Sequence, residues 1–138
     1  MLVKLKLGYQ DLIAQALATI ETLPLHQAQQ LLDESNTVFI DIRDVRELER
    51  EGMIPGAFHA PRGMLEFWVD PDSPYYKPIF GEGKRLVLYC ASAWRSALAT
   101  EQLQKMGIPG VCHLEGGFTA WKKAELPVTE KSVKPHSS

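Results

Sequence analysis

The chain has 138 residues, of which 45% are hydrophobic and 23% charged, the balance of a soluble globular domain rather than of a disordered segment. The 15 basic and 17 acidic residues give a formal net charge of -2, which supplies no field for holding nucleic acid. No apolar run approaches the roughly 20 residues that span a bilayer, and the first residues lack a secretory signal, so we expect no membrane partner.

Apolar residues recur along the chain at alternating helical and strand spacings. The first predicted element is an amphipathic helix over 9–22, which Pro24 ends. The elements predicted after it are a helix over 26–33, a strand over 37–42, a charged helical turn over 44–51, a strand over 85–90, a helix over 95–106, a strand over 111–114 and a helix over 118–123. Strands that alternate with helices indicate an α/β domain whose central sheet is mainly parallel, with helices on both faces and an added N-terminal helix.

Three segments make up the predicted organisation. Residues 1–24 form an N-terminal helical extension, residues 25–128 form the domain, and residues 129–138 form a flexible polar tail. The extension either caps the sheet or mediates dimerisation. Beside the charged turn, Arg43 and Glu47 lie four residues apart, the spacing at which an ion pair forms on a helix.

The chain has two cysteines, Cys90 and Cys112, which cannot form a disulfide framework, so we expect the reducing cytoplasm as its compartment. Cys90 ends a buried strand, and parallel sheets bind ligands beyond the carboxyl ends of their strands. Cys112 lies within a short strand, where it is either a core residue or a resolving thiol. It neighbours His113 on the opposite face of that strand. The four histidines show no metal-ligand spacing with either cysteine, so we expect no metal.

The loop Cys90-Ala-Ser-Ala-Trp-Arg95 joins the strand over 85–90 to the helix after it. Its small residues at 91–93 let the backbone curl, so that successive amide N–H groups point at the Cys90 sulfur. The helix adds its positive N-terminal end. Both features stabilise a thiolate, which predicts a reactive thiol, provided that solvent can reach it.

Several short motifs in this order resemble one known family. They are Phe39-Ile-Asp-Ile-Arg43, the acidic turn with Glu47 and Gly52, Ile54-Pro-Gly-Ala57, the loop from Cys90 to Arg95, and Leu114-Glu-Gly-Gly-Phe118 with Trp121. Together they cover residues 37 to 127, and through them the chain resembles the single-domain rhodaneses, which are sulfurtransferases. The resemblance implies a rhodanese-like fold.

The resemblance also implies a double displacement that needs no metal or organic cofactor. The Cys90 thiolate takes the outer sulfur of a donor such as thiosulfate or a persulfide, and an acceptor, cyanide or a thiol, then removes it. The acceptor thiol can belong to a partner protein. The residues expected to bind the donor are those of the loop, Ala91, Ser92, Ala93, Trp94 and Arg95. Related cell-cycle phosphatases have one more residue in this loop, so the four residues between Cys90 and Arg95 favour sulfur transfer.

Three charged side chains near the predicted site have more than one interpretation. Arg95 either binds an anionic donor or anchors the loop by pairing with a carboxylate such as Asp41. We interpret Asp41 as structural rather than as a general base. Arg62 either reaches the mouth of the site from a neighbouring strand end or is a solvated surface residue.

Three residues depart from the family pattern. Met53 stands before Ile54-Pro-Gly-Ala57, where relatives often have histidine. Relatives often have glycine where Ala93 stands, which suggests a backbone angle that costs alanine about 1–2 kcal/mol. Trp94 is large for its place in the loop, where it either narrows the mouth or stacks on an acceptor.

Two other functions stay open beside sulfur transfer. One is a non-enzymatic interaction or sulfur-carrier module in which the cysteine chemistry is incidental. The other is an oxyanion enzyme, a phosphatase or an arsenate reductase.

Overall fold

The apolar runs of the sequence form the middle of a five-stranded sheet. The structure, a computed structural model, describes residues 2–131. The strands are β1 (Glu21–Leu23), β2 (Thr37–Asp41), β3 (Phe58–His59), β4 (Arg85–Tyr89) and β5 (Cys112–Leu114). Their order is β1-β5-β4-β2-β3 and every neighbouring pair is parallel. The predicted parallel α/β architecture is confirmed, with β4 in the centre.

Helices cover both faces of this sheet. They are α1 (Tyr9–Thr19), α2 (Leu25–Gln30), α3 (Val45–Glu51), α4 (Leu65–Val69), α5 (Trp94–Lys105) and α6 (Gly117–Lys123), with short 3₁₀ helices at Arg62–Met64 and Pro78–Gly81. Alternate residues of β4 supply two separate cores. Leu88 packs with Leu103 of α5 on one face, and Val87 packs with Trp121 of α6 on the other. Helix α1 packs on the outside of α5. Of the helices within residues 2–131, none is long and apolar enough to cross a bilayer.

The prediction of a helical extension over residues 1–24 was wrong in part, because this segment also contains a strand. Helix α1 ends at Thr19, and Glu21–Leu23 is the edge strand β1, paired with β5. Strand β1 has three residues, of which two are exposed, so it carries no apolar alternation. It becomes a strand because β5, about 90 residues later, offers a free edge for pairing. The residues around β1 alone do not indicate this pairing.

Thr129, the first residue of the predicted tail, contacts the domain. The backbone of Thr129 pairs with that of Met53 in both directions, with N···O distances of 2.8 and 2.9 Å. Thr129 is therefore held against the domain. Residues 132–138 of the predicted tail lie outside the described residues.

A buried ion pair at the end of β2 also contacts the residue after α3 and a ring of α6. Arg43 donates from Nε and Nη2 to the two carboxylate oxygens of Asp41, at 3.0 and 2.7 Å, and Nη2 also donates to the carbonyl of Gly52. The guanidinium lies 4.2 Å from the centre of the Phe118 ring. The predicted Arg43–Glu47 pair was wrong. Helix α3 begins only at Val45, so the two side chains do not share a helical face.

His113 ties the edge of the sheet to α5. It is buried on β5, with Nδ1 3.1 Å from Ser96 Oγ and Nε2 2.9 Å from Thr22 Oγ1. Burial lowers the pKa of His113 to about 4, so the ring is neutral near pH 7. Strands β1 and β5 and helix α5 therefore meet at one uncharged imidazole.

Ala93 begins α5 in a left-handed conformation. Its φ is 73°, in the region that favours glycine, as the departure from the family pattern suggested. Ala93→Gly should raise the free energy of unfolding by about 0.5–1 kcal/mol, because the relieved strain exceeds the added entropy of the unfolded chain. Urea unfolding measures this. Glu125→Gly is the matched control, since Glu125 has a φ of 59° away from the loop and should behave alike. A destabilised Ala93→Gly would contradict the strain argument.

The buried His113 predicts a loss of stability in mild acid. Its pKa is about 4 in the folded chain, against about 6.5 in an unfolded one. Between these values the unfolded state binds more protons, so the free energy of unfolding should fall as the pH drops from about 6.5 to 4. Urea unfolding at several pH values tests this. His113→Asn should flatten the pH dependence over this window, and an unchanged slope in that variant would contradict the assignment.

Candidate active site

Cys90 follows the last residue of β4 at the carboxyl edge of the sheet, and its sulfur meets the first turn of α5. The amide N–H of Ser96 donates to Sγ at 3.4 Å, and Ser96 Oγ lies 3.7 Å from the same sulfur. A helix usually receives this contact from the side chain of its N-cap residue, but the N-cap here is Ala93, which has no acceptor. The Cys90 sulfur takes that place. An acceptor at the positive end of a helix is favoured when it is an anion.

The thiol is more enclosed than the sequence suggested. Cys90 is 0% exposed, whereas a reactive cysteine was expected to be within reach of solvent. The loop closes over the sulfur because α6 holds the backbone of the loop from behind. The amides of Phe118 and Thr119, in the first turn of α6, donate to the carbonyls of Cys90 and Ala91 at 2.8 and 3.0 Å.

Gly117 permits this close approach of α6 to the loop. Its φ is +64°, and a Cβ at this position would lie 2.7 Å from the Cys90 carbonyl oxygen and 2.6 Å from that of Ala91. Both neighbours are backbone atoms, which cannot turn aside as a flexible side chain could. The second glycine of the pair in the last sequence motif, Gly117, therefore allows α6 to hold the cysteine loop.

Arg95 anchors the end of the loop, but not on Asp41. Its guanidinium donates from Nη1 and Nη2 to the two carboxylate oxygens of Glu47 on α3, at 2.8 and 3.0 Å. Asp41 is engaged by Arg43, so the predicted partner was wrong and the predicted kind of contact is present. The hydrogen bonds from Arg95 lower the pKa of Glu47. The hydrogen bonds to Glu47 in turn raise the pKa of Arg95; burial opposes this shift, and the nearby Cys90 sulfur adds to it.

An apolar groove lies beside Arg95. Trp94 is 53% exposed, and its ring packs on that of Tyr9 in α1 with the centroids 5.1 Å apart. The groove has a volume of about 300 Å³ and is lined by Tyr9, Ile13, Arg62, Trp94, Arg95 and Leu98. The structure thus brings the exposed Arg62 to the same groove as Arg95. In the loop, Ser92 is exposed, while Ala91 and Ala93 are half-buried.

Cys112 lies in the core on the opposite face of the sheet. It packs with Trp121 and Phe118, and burial raises the pKa of its thiol to about 11. That position and that pKa assign it to the core rather than to a resolving role. Within residues 2–131 no group of three histidine, cysteine or acidic side chains is placed to hold a metal ion.

Four residues at this site were not identified as functional from sequence. Glu47 and Gly117 lie in noted motifs, but their partners are distant in sequence. Ser96 directly follows the loop arginine, on the third residue of α5. His113 is the hardest to recognise, and the only signal for it is strand alternation. Cys112 and Leu114 face one core, so His113 between them must face the other.

Comparison with known proteins agrees with this architecture. The model of the family described as "Rhodanese-like domain" matches residues 24–124. The chain is 35% identical over 125 residues to an uncharacterised protein of Synechocystis, covering 91% of this chain and 65% of that protein. It is 31% identical over 101 residues to a sulfurtransferase of Allochromatium vinosum, covering 73% of this chain and 86% of that one.

Solved structures show the same fold. A Rhodopseudomonas palustris protein, named as of unknown function and a possible tyrosine phosphatase, is 49% identical with a TM-score of 0.90, covering 94% of this chain and 99% of that one. The polysulfide-sulfur transferase homodimer of Wolinella succinogenes is 28% identical with a TM-score of 0.67, covering 94% and 93% of the two chains. Since the family model spans most of the sequence, this chain belongs to the rhodanese-like domain family.

Proposed function

We propose that this protein transfers a sulfane sulfur through a persulfide on Cys90. Membership of the rhodanese-like family and likeness to sulfurtransferases support a role in sulfur transfer. The observation that carries the proposal for Cys90 is the placement of its sulfur. It lies just beyond the central strand and accepts a backbone N–H from the first turn of α5 at 3.4 Å. A sulfur in this position is stabilised as the anion that attacks a donor.

The reaction consists of two displacements on sulfur. The Cys90 thiolate attacks the outer sulfur of thiosulfate, the S–S bond of the donor breaks, and sulfite leaves with that electron pair. Cys90 then carries a persulfide with the negative charge on its outer sulfur. An acceptor thiolate attacks this outer sulfur, forms a new S–S bond and releases the Cys90 thiolate. With cyanide as acceptor the product is thiocyanate.

The charges of the loop suit an anionic donor. The positive end of α5 faces the sulfur, and two guanidinium groups, Arg95 and Arg62, line the groove at the end of the cysteine loop. Arg95 is engaged by Glu47, so its first role is to fix the loop. Arg62 is exposed and makes no ion pair within the described chain, which leaves its charge available to a donor.

The covered thiol adds a step before the chemistry. Because Cys90 has no exposed surface, a donor reaches Sγ only when the loop opens locally. The side chains over 91–93 are Ala, Ser and Ala, so opening displaces little buried apolar surface. We therefore propose that loop opening precedes the first displacement and costs little free energy.

Intact-mass spectrometry tests the persulfide directly. Incubation of the reduced protein with thiosulfate should add about 32 Da, and dithiothreitol should remove it. Cys90→Ser should gain no mass and should form no thiocyanate from thiosulfate and cyanide. Cys112→Ser is the matched control, which should behave as the unchanged protein because Cys112 lies in the opposite core. Failure of the unchanged protein with both thiosulfate and persulfide donors, together with turnover of an aryl phosphate, would favour a phosphatase instead.

The Glu47–Arg95 pair provides a second test. Glu47→Gln removes the charge that holds Arg95. For this partly exposed pair we expect the lost attraction to cost about 1 kcal/mol, which corresponds to roughly a fivefold fall in kcat/KM for thiosulfate. Glu49→Gln on the same helix is the control, since Glu49 makes no ion pair within residues 2–131 and should leave kcat/KM unchanged. If release of Arg95 instead lowers KM, Arg95 binds the donor and its anchoring role is secondary.

A further inference from the structure

A line of polar side chains runs from Cys90 to the edge of the sheet. Ser96 Oγ lies 3.7 Å from the Cys90 sulfur and 3.1 Å from His113 Nδ1, and His113 Nε2 lies 2.9 Å from Thr22 Oγ1. Cys90, Ser96 and His113 are buried, and Thr22 is exposed on β1. The sulfur transfer proposed above uses the backbone of Ser96 only, so this line of side chains has no role in it.

Each group in this line can either donate or accept a hydrogen bond. While Cys90 is a thiol, its S–H donates to Ser96 Oγ. In the tautomer that continues this direction, the Ser96 hydroxyl donates to His113 Nδ1 and His113 Nε2–H donates to Thr22. When Cys90 is a thiolate it can only accept. For the Ser96 hydroxyl to donate to that anion, all three contacts must reverse their direction.

We propose that His113 is a positioning residue for Cys90: its neutral ring changes tautomer when the thiol ionises, so that the Ser96 hydroxyl turns to donate to the sulfur anion. The inference rests on Cys90 being the reacting thiol of the proposed function. It adds the identity of the residue that sets the direction of the nearest hydroxyl, and a route by which an enclosed thiol loses its proton.

The proton balance of the reversal is complete. The thiol proton passes to Ser96 Oγ, the former Ser96 proton passes to His113 Nδ1, and the Nε2 proton passes to Thr22 Oγ1. The hydroxyl proton that Thr22 held goes to solvent. One proton leaves the protein and His113 is neutral before and after. The low pKa of His113 agrees with such a ring, which does not become an imidazolium near pH 7.

Other ionisable groups lie on the elements around the line from Cys90 to Thr22. They are Arg95 with Glu47, the pair Asp41 and Arg43 at the end of β2, Tyr89 on β4, and the pair Glu21 and Arg85 beside Thr22. The arginines keep their charge throughout, and burial raises the pKa of Tyr89. These groups supply a fixed field around the sulfur, and the hydrogen-bond line through His113 is what changes direction within it.

Nitrogen NMR of the ring tests the tautomer change. In protein labelled with ¹⁵N-histidine, the Nδ1 and Nε2 shifts of His113, assigned by their loss in His113→Asn, are followed against pH. Thiolate formation is followed in parallel by ultraviolet absorbance. We expect the two ring nitrogens to exchange protonated and unprotonated shifts at the same pH at which the thiolate forms. In Cys90→Ser the tautomer should stay constant. A tautomer that does not change while the thiol of the unchanged protein titrates would overturn the inference.

A pair of hydroxyl deletions on α5 gives a second readout. Ser96→Ala keeps the N–H to the sulfur and removes the hydroxyl, so the pH midpoint for alkylation of Cys90 by iodoacetamide should rise by about one unit, a roughly tenfold loss of acidity. Thr100→Val is the matched control. Thr100 is buried one turn later on the same helix, and its hydroxyl has no hydrogen-bond partner in the described chain, so the midpoint should not move.

The remaining outcomes separate this inference from the proposed function. Equal midpoints in Ser96→Ala, Thr100→Val and the unchanged protein would overturn the role of the Ser96 hydroxyl. A tautomer change in a protein that accepts no sulfur from any donor would support the inference and contradict the proposed function. His113→Asn, whose amide also donates to Ser96, should restore part of the acidity lost in His113→Leu, and equal losses in both would count against positioning.

Discussion

The site depends on two hydrogen bonds that meet at Cys90. The backbone carbonyl of this residue accepts from the amide of Phe118, and its sulfur accepts from the amide of Ser96. These amides belong to α6 and α5, which pack on opposite faces of the sheet. The residue that follows the central strand is therefore held from both sides, and the two cores of the domain determine where the sulfur lies.

Two arginine–carboxylate pairs near this residue have different environments and therefore different uses. Arg43 and Asp41 are fully buried, and removing one partner from such a pair leaves an uncompensated charge in the core. Arg95 and Glu47 are partly exposed, so water screens their attraction and either partner can be released at low cost. The buried pair maintains the end of β2, while the exposed pair can yield when an anion enters the groove.

Features encoded by neighbouring residues could be predicted from the sequence, and features made by distant partners could not. The apolar run of β4, the small residues at 91–93 and the amphipathic α5 gave the sheet, the loop and the helix behind it. The glycine-like angle of Ala93 followed from the family pattern. Strand β1 escaped because it depends on pairing with β5, and the partner of Arg95 escaped because Glu47 lies 48 residues away. Burial of Cys90 escaped for the same reason, since α6 closes the loop from behind.

The place of Cys112 limits what the protein can do with sulfur once it holds it. The chain has two cysteines, and the second lies across the sheet from the first, in the opposite core. If Cys90 carries a persulfide, as we propose, Cys112 is not placed to convert it to an intramolecular disulfide. In the proposed reaction Cys112 would therefore not release hydrosulfide from Cys90, and the sulfur would leave only to a separate acceptor molecule. Under this proposal, the donor and the acceptor react with Cys90 in two separate binding events. The fraction of the protein that carries sulfur would then depend on the concentration of acceptors.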